Sequence, residues 1–223
     1  MPERFTDRLR REAAGIWEAQ HQHPFVQGIG DGKLSLDKFK FWLRQDYVFL
    51  IEYSRLLGLA VARSPDVETM TRLAGLLNET LETEMGLHRA YAAEFGISRE
   101  QLEREQPAPT TRAYTDFLLR TAATGDFTEL AAALLPCMWS FSEIGQRLAT
   151  QPAPGNKRYA QWIAMYSSKE FAELAAWCRE LLDRLATGLP ERELKKLEEA
   201  FLTSSRYEWH FWEMAWRMEG WQI

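Results

Sequence analysis

Three residues with reactive or ionisable side chains occupy positions where an apolar side chain is expected. Asp46, Cys137 and Glu208 each fall within a series of apolar residues spaced three and four apart. Such a series lies on one face of a helix, the face that normally packs into the core. A thiolate is a good nucleophile, and a carboxylate beside it can take the thiol proton or protonate a leaving group. Together these residue types predict nucleophilic catalysis with acid–base assistance.

Each of the three residues also has a structural interpretation. Cys137 could be a small buried core residue. Asp46 could be satisfied by a nearby tyrosine or a backbone group, and Glu208 could bind a tyrosine hydroxyl. Helix bundles, however, build sites from the inward side chains of facing helices. Because three separate helices each carry one such residue, we expect all three to face one pocket.

The apolar spacing predicts four long helices that carry or flank these residues. They are expected at about residues 35–63, 64–95, 126–148 and 190–218. The second is predicted to begin with Ser64 as its N-cap and Pro65 in its first turn. Pro136 is expected either to bend the third beside Cys137 or to leave the carbonyl of Ala132 free. No run shows the alternation of a strand, and there is no Gly-rich phosphate loop. The sequence therefore predicts an all-α protein with a single domain over residues 1–223.

The net charge and the length of the apolar runs restrict the possible partners. The chain of 223 residues has a net charge of −5 and no basic block, so nucleic acid is not an expected partner. No apolar run approaches the roughly 20 residues that a membrane span needs, and the N-terminal segment has no secretion signal. We therefore expect a cytoplasmic protein without membrane contact. Both cysteines are expected to stay reduced, with Cys178 as an ordinary core residue.

Four short motifs occur in order along nearly the whole chain. They are His23-Pro24-Phe25-Val26, Gln45-Asp46-Tyr47, Pro136-Cys137-Met138-Trp139 and Tyr207-Glu208-x-x-Phe211-Trp212. In combination they resemble the TenA/thiaminase II family. The resemblance implies an all-α, haem-oxygenase-like helical bundle that forms a homotetramer. We expect neither a cofactor nor a metal.

The activity that the resemblance implies is the hydrolysis of aminopyrimidine compounds in thiamin salvage. Family members with this cysteine convert 4-amino-5-aminomethyl-2-methylpyrimidine to the hydroxymethyl pyrimidine and ammonia, and many also cleave thiamin. By resemblance, Cys137 is the nucleophile that adds to the pyrimidine ring. Glu208 is the acid/base residue at the ring, and Asp46 is the carboxylate near the cysteine and the amino edge of the substrate.

Five aromatic residues are predicted to hold the substrate ring between flat faces. They are Phe49, Tyr53, Tyr114, Tyr166 and Phe211. By resemblance, Tyr114 and Tyr166 position the substrate or the catalytic glutamate, and Phe211 stacks on the ring. Phe49 stands where some family members have a tyrosine. A hydroxyl contact is then missing there, which leaves the preference between thiamin and the aminomethyl pyrimidine open.

Two other functions stay open at this point. A haem-oxygenase-like di-metal oxidase would share the bundle, but it needs several histidine and carboxylate ligands and the chain has only four histidines. Glu84 and His88 lie one turn apart and could form half of such a site. We favour a structural pair, because no matching pair is found elsewhere. A non-catalytic pyrimidine-binding or regulatory protein would use the same pocket without turnover.

Overall fold

The computed structural model describes residues 3–222, and every regular element in that range is a helix, which confirms the predicted all-α class. The α-helices are α1 (Phe5–Glu12), α2 (Ala14–His21), α3 (Pro24–Gly30), α4 (Leu36–Ala62), α5 (Val67–Glu79), α6 (Met85–Glu94), α7 (Arg99–Glu103), α8 (Pro109–Thr124), α9 (Phe127–Ala149), α10 (Lys157–Tyr166), α11 (Lys169–Ala186) and α12 (Glu191–Arg217). A π-helical turn, Thr80–Glu84, joins α5 to α6. None of the helices in the described range combines the length and the apolar character needed to cross a membrane.

The helices group into two compact units. The first contains residues 3–34 and 128–212, and the second contains residues 35–127 and 213–222. Cys137 and Glu208 belong to the first unit, and Asp46 belongs to the second. The single domain expected over the whole chain stays a prediction.

The first unit contains α9 and most of α12, two long helices that contact each other at two points. The hydroxyl of Ser204 in α12 donates to the carbonyl of Ala133 in α9 at 2.8 Å. Further along both helices, the ring centroids of Phe141 and Trp212 lie 5.0 Å apart. From the first contact to the second, the residue number rises by eight on each helix (133 to 141 and 204 to 212). The two helices therefore run parallel where they meet.

The helix α9 continues through Pro136. A proline removes one helical hydrogen bond and crowds the preceding turn, so an interruption here would be ordinary. Ala132, Leu135 and Pro136 are all buried, and the packing around them holds the helical turn in place. Cys137 consequently lies inside a continuous helix, with its side chain partly exposed.

The second unit is built around α4, which is tied to the start of α8 by one buried amide. Gln45 donates from Nε2 to the carbonyl of Gln106 at 3.0 Å. Its Oε1 accepts from the backbone N–H of Ala108 and from the hydroxyl of Thr111, both at 2.8 Å. These bonds compensate the burial of the amide and fix the first turn of α8. Tyr114 follows within one turn of Thr111, so Gln45 also helps to fix the position of that tyrosine.

The start of α5 differs from the predicted one. In place of Ser64, the N-cap is Asp66, whose carboxylate accepts from the backbone N–H and the hydroxyl of Thr69 at 2.7 and 3.0 Å. The hydroxyl of Ser64 instead donates to the carbonyl of Ala60 at the end of α4, at 2.9 Å. A carboxylate accepts stronger hydrogen bonds than a hydroxyl does. The helix therefore begins after Asp66, and Pro65 lies before it.

Candidate functional site

Cys137 and Glu208 lie at the same level of the two parallel helices in the first unit. Each stands four residues after the contact between Ala133 and Ser204, and four residues before the contact between the two aromatic rings. Four residues are about one helical turn, so both side chains continue the contacting faces of their helices. Glu208 is 2 % exposed, whereas Cys137 is partly exposed. The structure thus brings the predicted nucleophile and the predicted acid/base residue to one level.

An aromatic cluster borders this pair in the first unit. The ring of Phe141, one turn after the cysteine, packs on Tyr166 and Trp212, with centroid distances of 5.0 Å in both cases. Trp162 packs on Tyr166 at 4.6 Å. All four rings are buried, and so is Phe211. Phe141 and Trp212 lie one turn after the cysteine and the glutamate on their helices, and the cluster includes the predicted tyrosine of α10.

Tyr166, the last residue of α10, approaches α9 very closely at Gly145. A Cβ atom added to Gly145 would lie 2.5 Å from the carbonyl carbon of Tyr166 and 2.7 Å from its carbonyl oxygen. Both distances are shorter than packed atoms allow. Gly145 is therefore needed because of close packing, and it sets the distance between Tyr166 and α9. Nothing in the sequence pattern distinguished this glycine.

In the second unit, Asp46 has a partner that the spacing of the sequence does not predict. Nε2 of His88 lies 2.6 Å from Oδ2 of Asp46, and both side chains are buried. Nδ1 of His88 lies 2.9 Å from the backbone carbonyl oxygen of Glu84. The ring of Trp42 packs on the imidazole with a centroid distance of 5.4 Å. The buried aspartate is thus satisfied by a histidine, and neither a tyrosine nor a backbone group takes that place.

The expected pair of Glu84 and His88 does form, but through the backbone oxygen of Glu84. Both ring nitrogens of His88 are engaged, so neither offers a lone pair to a metal ion. Within residues 3–222, no three His, Cys, Asp or Glu side chains are grouped so that they could hold a metal. The contacts of His88 therefore support the structural interpretation of this pair over half of a di-metal site.

The aromatic residues predicted on α4 and α8 form one cluster in the second unit. Phe49 stacks on Tyr53 with a centroid distance of 5.5 Å and an interplanar angle of 23°. It also packs on Tyr114 at 5.1 Å. Phe49 is three residues after Asp46, so the cluster begins within one turn of the carboxylate. All three rings are buried.

The eight predicted site residues thus form two groups. The first unit holds Cys137, Glu208, Tyr166 and Phe211, and the second holds Asp46, Phe49, Tyr53 and Tyr114. Inside each group, ring contacts or helix register bring the predicted residues close together. The expectation that all eight face one pocket stays a prediction.

Cys178 is a core residue, as the sequence predicts. It lies on α11 and is 5 % exposed. Burial raises the pKa of the Cys178 thiol to about 12, so the thiol stays protonated at neutral pH. The two cysteines both lie in the described range and form no disulfide. Of these two cysteines, Cys137 is therefore the one with a partly exposed thiol.

Comparison with known proteins finds similarity over nearly the whole chain. The model of the TENA/THI-4/PQQC family matches residues 10–218. A protein of Halalkalibacterium halodurans named aminopyrimidine aminohydrolase is 49 % identical over 218 residues, which are 97 % of this chain and 97 % of that protein.

Two solved structures are similar in fold. A TenA homologue from P. horikoshii OT3 is 32 % identical with a TM-score of 0.89, covering 96 % of this chain and 99 % of that one. A domain from Shewanella denitrificans described as having a heme oxygenase-like fold is 15 % identical with a TM-score of 0.72, covering 96 % and 92 %. The second likeness concerns the fold alone. The predicted haem-oxygenase-like bundle is confirmed.

Proposed function

Because the chain belongs to the TENA/THI-4/PQQC family, we propose that it is an aminopyrimidine aminohydrolase, a hydrolase that acts on a C–N bond. The resemblance to the TenA/thiaminase II family, which the four motifs indicate, is confirmed by the family match. The structural observation that carries the proposal is the placement of Cys137 level with Glu208 on parallel helices. Hydrolysis through a cysteine needs a nucleophile and a proton carrier beside each other.

The proposed substrate is 4-amino-5-aminomethyl-2-methylpyrimidine, with thiamin as a second substrate, as the resemblance implies. The net reaction replaces the exocyclic C–N bond of the aminomethyl group by a C–O bond from water. It releases ammonia from the first substrate and the thiazole from the second. The hydroxymethyl pyrimidine produced in both cases serves thiamin salvage.

In the proposed mechanism, the thiolate of Cys137 forms a C–S bond to a ring carbon of the pyrimidine. Proton transfer to a ring nitrogen balances the negative charge of the addition. The exocyclic C–N bond then breaks, and its electron pair leaves with the amine, which takes up a proton and departs as ammonia. Water adds to the methylene carbon that remains and gives up one proton. The C–S bond then breaks and the ring nitrogen returns its proton, which restores the ring and the thiolate.

The two carboxyl groups have different proposed roles. Glu208 carries the proton to and from the ring nitrogen, since it is buried and lies level with the cysteine. Asp46 binds the amino edge of the pyrimidine. The aromatic residues proposed to hold and position the ring are Phe49, Tyr53, Tyr114, Tyr166 and Phe211.

We propose further that the enzyme is cytoplasmic, acts without a cofactor and forms a homotetramer, as the family resemblance implies. The net charge of −5 argues against nucleic acid as a partner, because DNA binding depends on contacts from basic residues to phosphates. Light scattering should give about four times the chain mass of 25.9 kDa. The mass of a single chain would contradict the tetramer.

The decisive experiment measures ammonia release and pyrimidine product from the aminomethyl pyrimidine, with thiamin assayed beside it. We expect turnover by the wild-type protein and none by Cys137→Ser, because a serine hydroxyl is a far weaker nucleophile than a thiolate. Cys178→Ser is the matched control and should keep its activity, since that thiol is buried and protonated. Circular dichroism checks that both variants fold. A folded wild-type protein that turns over neither substrate would overturn the proposed function.

A further inference from the structure

We propose that His88 is a positioning residue, which as a buried cation fixes Asp46 and keeps it ionised so that the second carboxylate oxygen can bind the substrate. This inference rests on the proposed function, because it assumes that Asp46 meets an aminopyrimidine. It adds a residue to that site, and it explains why an aspartate is placed on an apolar helix face.

The geometry of the pair allows little freedom. Nε2 of His88 and Oδ2 of Asp46 are 2.6 Å apart, within the range of a hydrogen bond between charged groups. The exposed fractions of the two residues are 1 % and 4 %. The ring of Trp42 packs against the imidazole. One carboxylate oxygen is therefore held in a fixed direction by a side chain from a different helix.

The second nitrogen of the imidazole decides where its proton is. Nδ1 of His88 lies 2.9 Å from the carbonyl oxygen of Glu84. A carbonyl oxygen can only accept, so Nδ1 must carry a hydrogen and donate it. The contact between Nε2 and Asp46 then holds one further proton, shared between a base and an acid. The pair is either imidazolium with carboxylate or imidazole with carboxylic acid.

The charges around His88 favour imidazolium with carboxylate. Burial lowers the pKa of His88, but the hydrogen bond and the charge of Asp46 raise it more, and the net pKa lies above the ordinary value. The charged groups that act on the imidazole are Asp46 from α4 and Glu84 from the π-helical turn, and both are acidic. The buried histidine is therefore stabilised as a cation by two neighbouring elements.

The remaining oxygen of Asp46 is the one available to a ligand. Oδ2 is bound to His88, so Oδ1 is the oxygen that we assign to the substrate. An ionised carboxylate is an acceptor only, so Oδ1 suits an N–H group such as the amino group of an aminopyrimidine. A protonated Asp46 would instead present a donor on one oxygen and would bind that amino group less well.

The test compares His88→Phe and His88→Gln with the wild-type enzyme and with His210→Gln, which changes an exposed histidine. For each protein, kcat and KM for the aminomethyl pyrimidine are measured across pH. We expect His88→Phe to lose about 10- to 100-fold in kcat/KM, because a buried charged group loses its partner. Loss of the cation disfavours the carboxylate, so the acidic limb of the kcat/KM profile should move to higher pH.

The glutamine variant separates the hydrogen bond from the charge. A glutamine amide can donate to Asp46 but carries no charge, so His88→Gln should recover part of the lost kcat/KM while its acidic limb stays shifted. An equal loss at every pH, with the limb unmoved, would mean that His88 has only a structural role and would overturn the inference. Unchanged kinetics in a folded His88→Phe would overturn it as well. Absence of turnover in the wild-type enzyme would instead overturn the proposed function and the positioning role together.

Protonation of His88 is checked without activity by nitrogen-15 NMR of histidine-labelled protein. The chain has four histidines, so the resonances of His88 are identified as those missing from His88→Gln. We expect both ring nitrogens of His88 to be protonated at neutral pH in the wild-type protein. As the pH rises, the imidazole of His88 should become neutral at a lower pH in Asp46→Asn than in the wild-type protein. A neutral imidazole in the wild-type protein at neutral pH would contradict the inference.

Discussion

Two thiols of the same chain differ in reactivity because their surroundings differ. Cys178 is buried in α11, and burial raises its pKa to about 12. Cys137 is partly exposed and lies level with Glu208. Because the thiolate is the nucleophilic form, a thiol that stays protonated takes no part in catalysis at neutral pH. The partly exposed position of Cys137, level with a carboxylate on the parallel helix, is what makes it the candidate nucleophile.

Glu208→Gln tests the proton carrier at the scale of one residue. The amide keeps the size of the side chain but cannot transfer a proton, so we expect kcat to fall about 10²- to 10⁴-fold. The free energy of unfolding should change much less. Glu199→Gln, on an exposed position of the same helix, is the matched control and should keep wild-type kinetics. Full activity of Glu208→Gln would remove this residue from the mechanism.

At the scale of the helices, small residues such as Gly145 determine how closely two helices approach each other. In Gly145→Ala the new Cβ would collide with the carbonyl group of Tyr166, so α10 must move away from α9. We expect a loss of about 1–3 kcal/mol in the free energy of unfolding, as for other overpacked sites. A lower kcat/KM should accompany it, because Tyr166 is displaced from the aromatic cluster. Urea unfolding and steady-state kinetics measure both effects.

Gly75→Ala is the control for this substitution. Gly75 lies in α5, and a Cβ there would meet no atom within 4 Å. Alanine is the better helix former by roughly 1 kcal/mol, so this variant should be as stable as the wild-type protein or more stable. Equal stability of the two alanine variants would show that α9 and α10 tolerate a Cβ at Gly145.

The sequence reveals the helices and the unusual residues on them, but not the partners of those residues. Asp46 and Glu208 stand out because they fall on apolar faces, and periodicity alone shows this. The bond between Asp46 and His88 joins residues 42 positions apart, and no local pattern encodes it. Gly145 looks like any helical glycine until the backbone of α10 is placed beside it. Local spacing thus predicts faces, whereas contacts between helices need the structure.

At the scale of the whole molecule, ion pairs join parts of the chain that are far apart in sequence. Glu143 in α9 accepts from Arg10 in α1 at 2.5 and 3.1 Å, and lies 2.9 Å from Nε2 of His21 at the end of α2. Burial alone would raise the pKa of Glu143, but the bonds from His21 and Arg10 lower it to about 2. The carboxylate therefore helps to hold the N-terminal helices against α9.

Glu143→Gln should destabilise the protein in a pH-dependent way. The folded pKa lies below the unfolded value of 4.5, so the stabilisation is fully present above pH 4.5 and is lost as the pH falls toward 2. We expect the variant to lose about 1–2 kcal/mol in free energy of unfolding at pH 7, allowing for partial exposure of the side chain. Urea unfolding at pH 7 and pH 3 should show a smaller difference at the lower pH.

The control for this measurement is Glu18→Gln. Glu18 pairs with Arg147 on the surface, where both side chains are exposed and the pair is screened by solvent. Its removal should leave stability nearly unchanged at both pH values. A pH-independent loss in Glu143→Gln would show that the side chain acts through packing and not through its charge.

The Asp46–His88 pair depends on how the residues before the histidine are wound, because the π-helical turn Thr80–Glu84 directly precedes α6. Each residue turns an α-helix by about 100°, and a π-helical turn holds one residue more than an α-helical turn. If the same residues were wound as an ordinary α-helix, they would add the rotation of about one further residue, and α6 would turn by about a quarter of a circle. His88 would then keep its identity but face away from Asp46. In this region, the phase of the helix is as much a part of the site as the residues themselves.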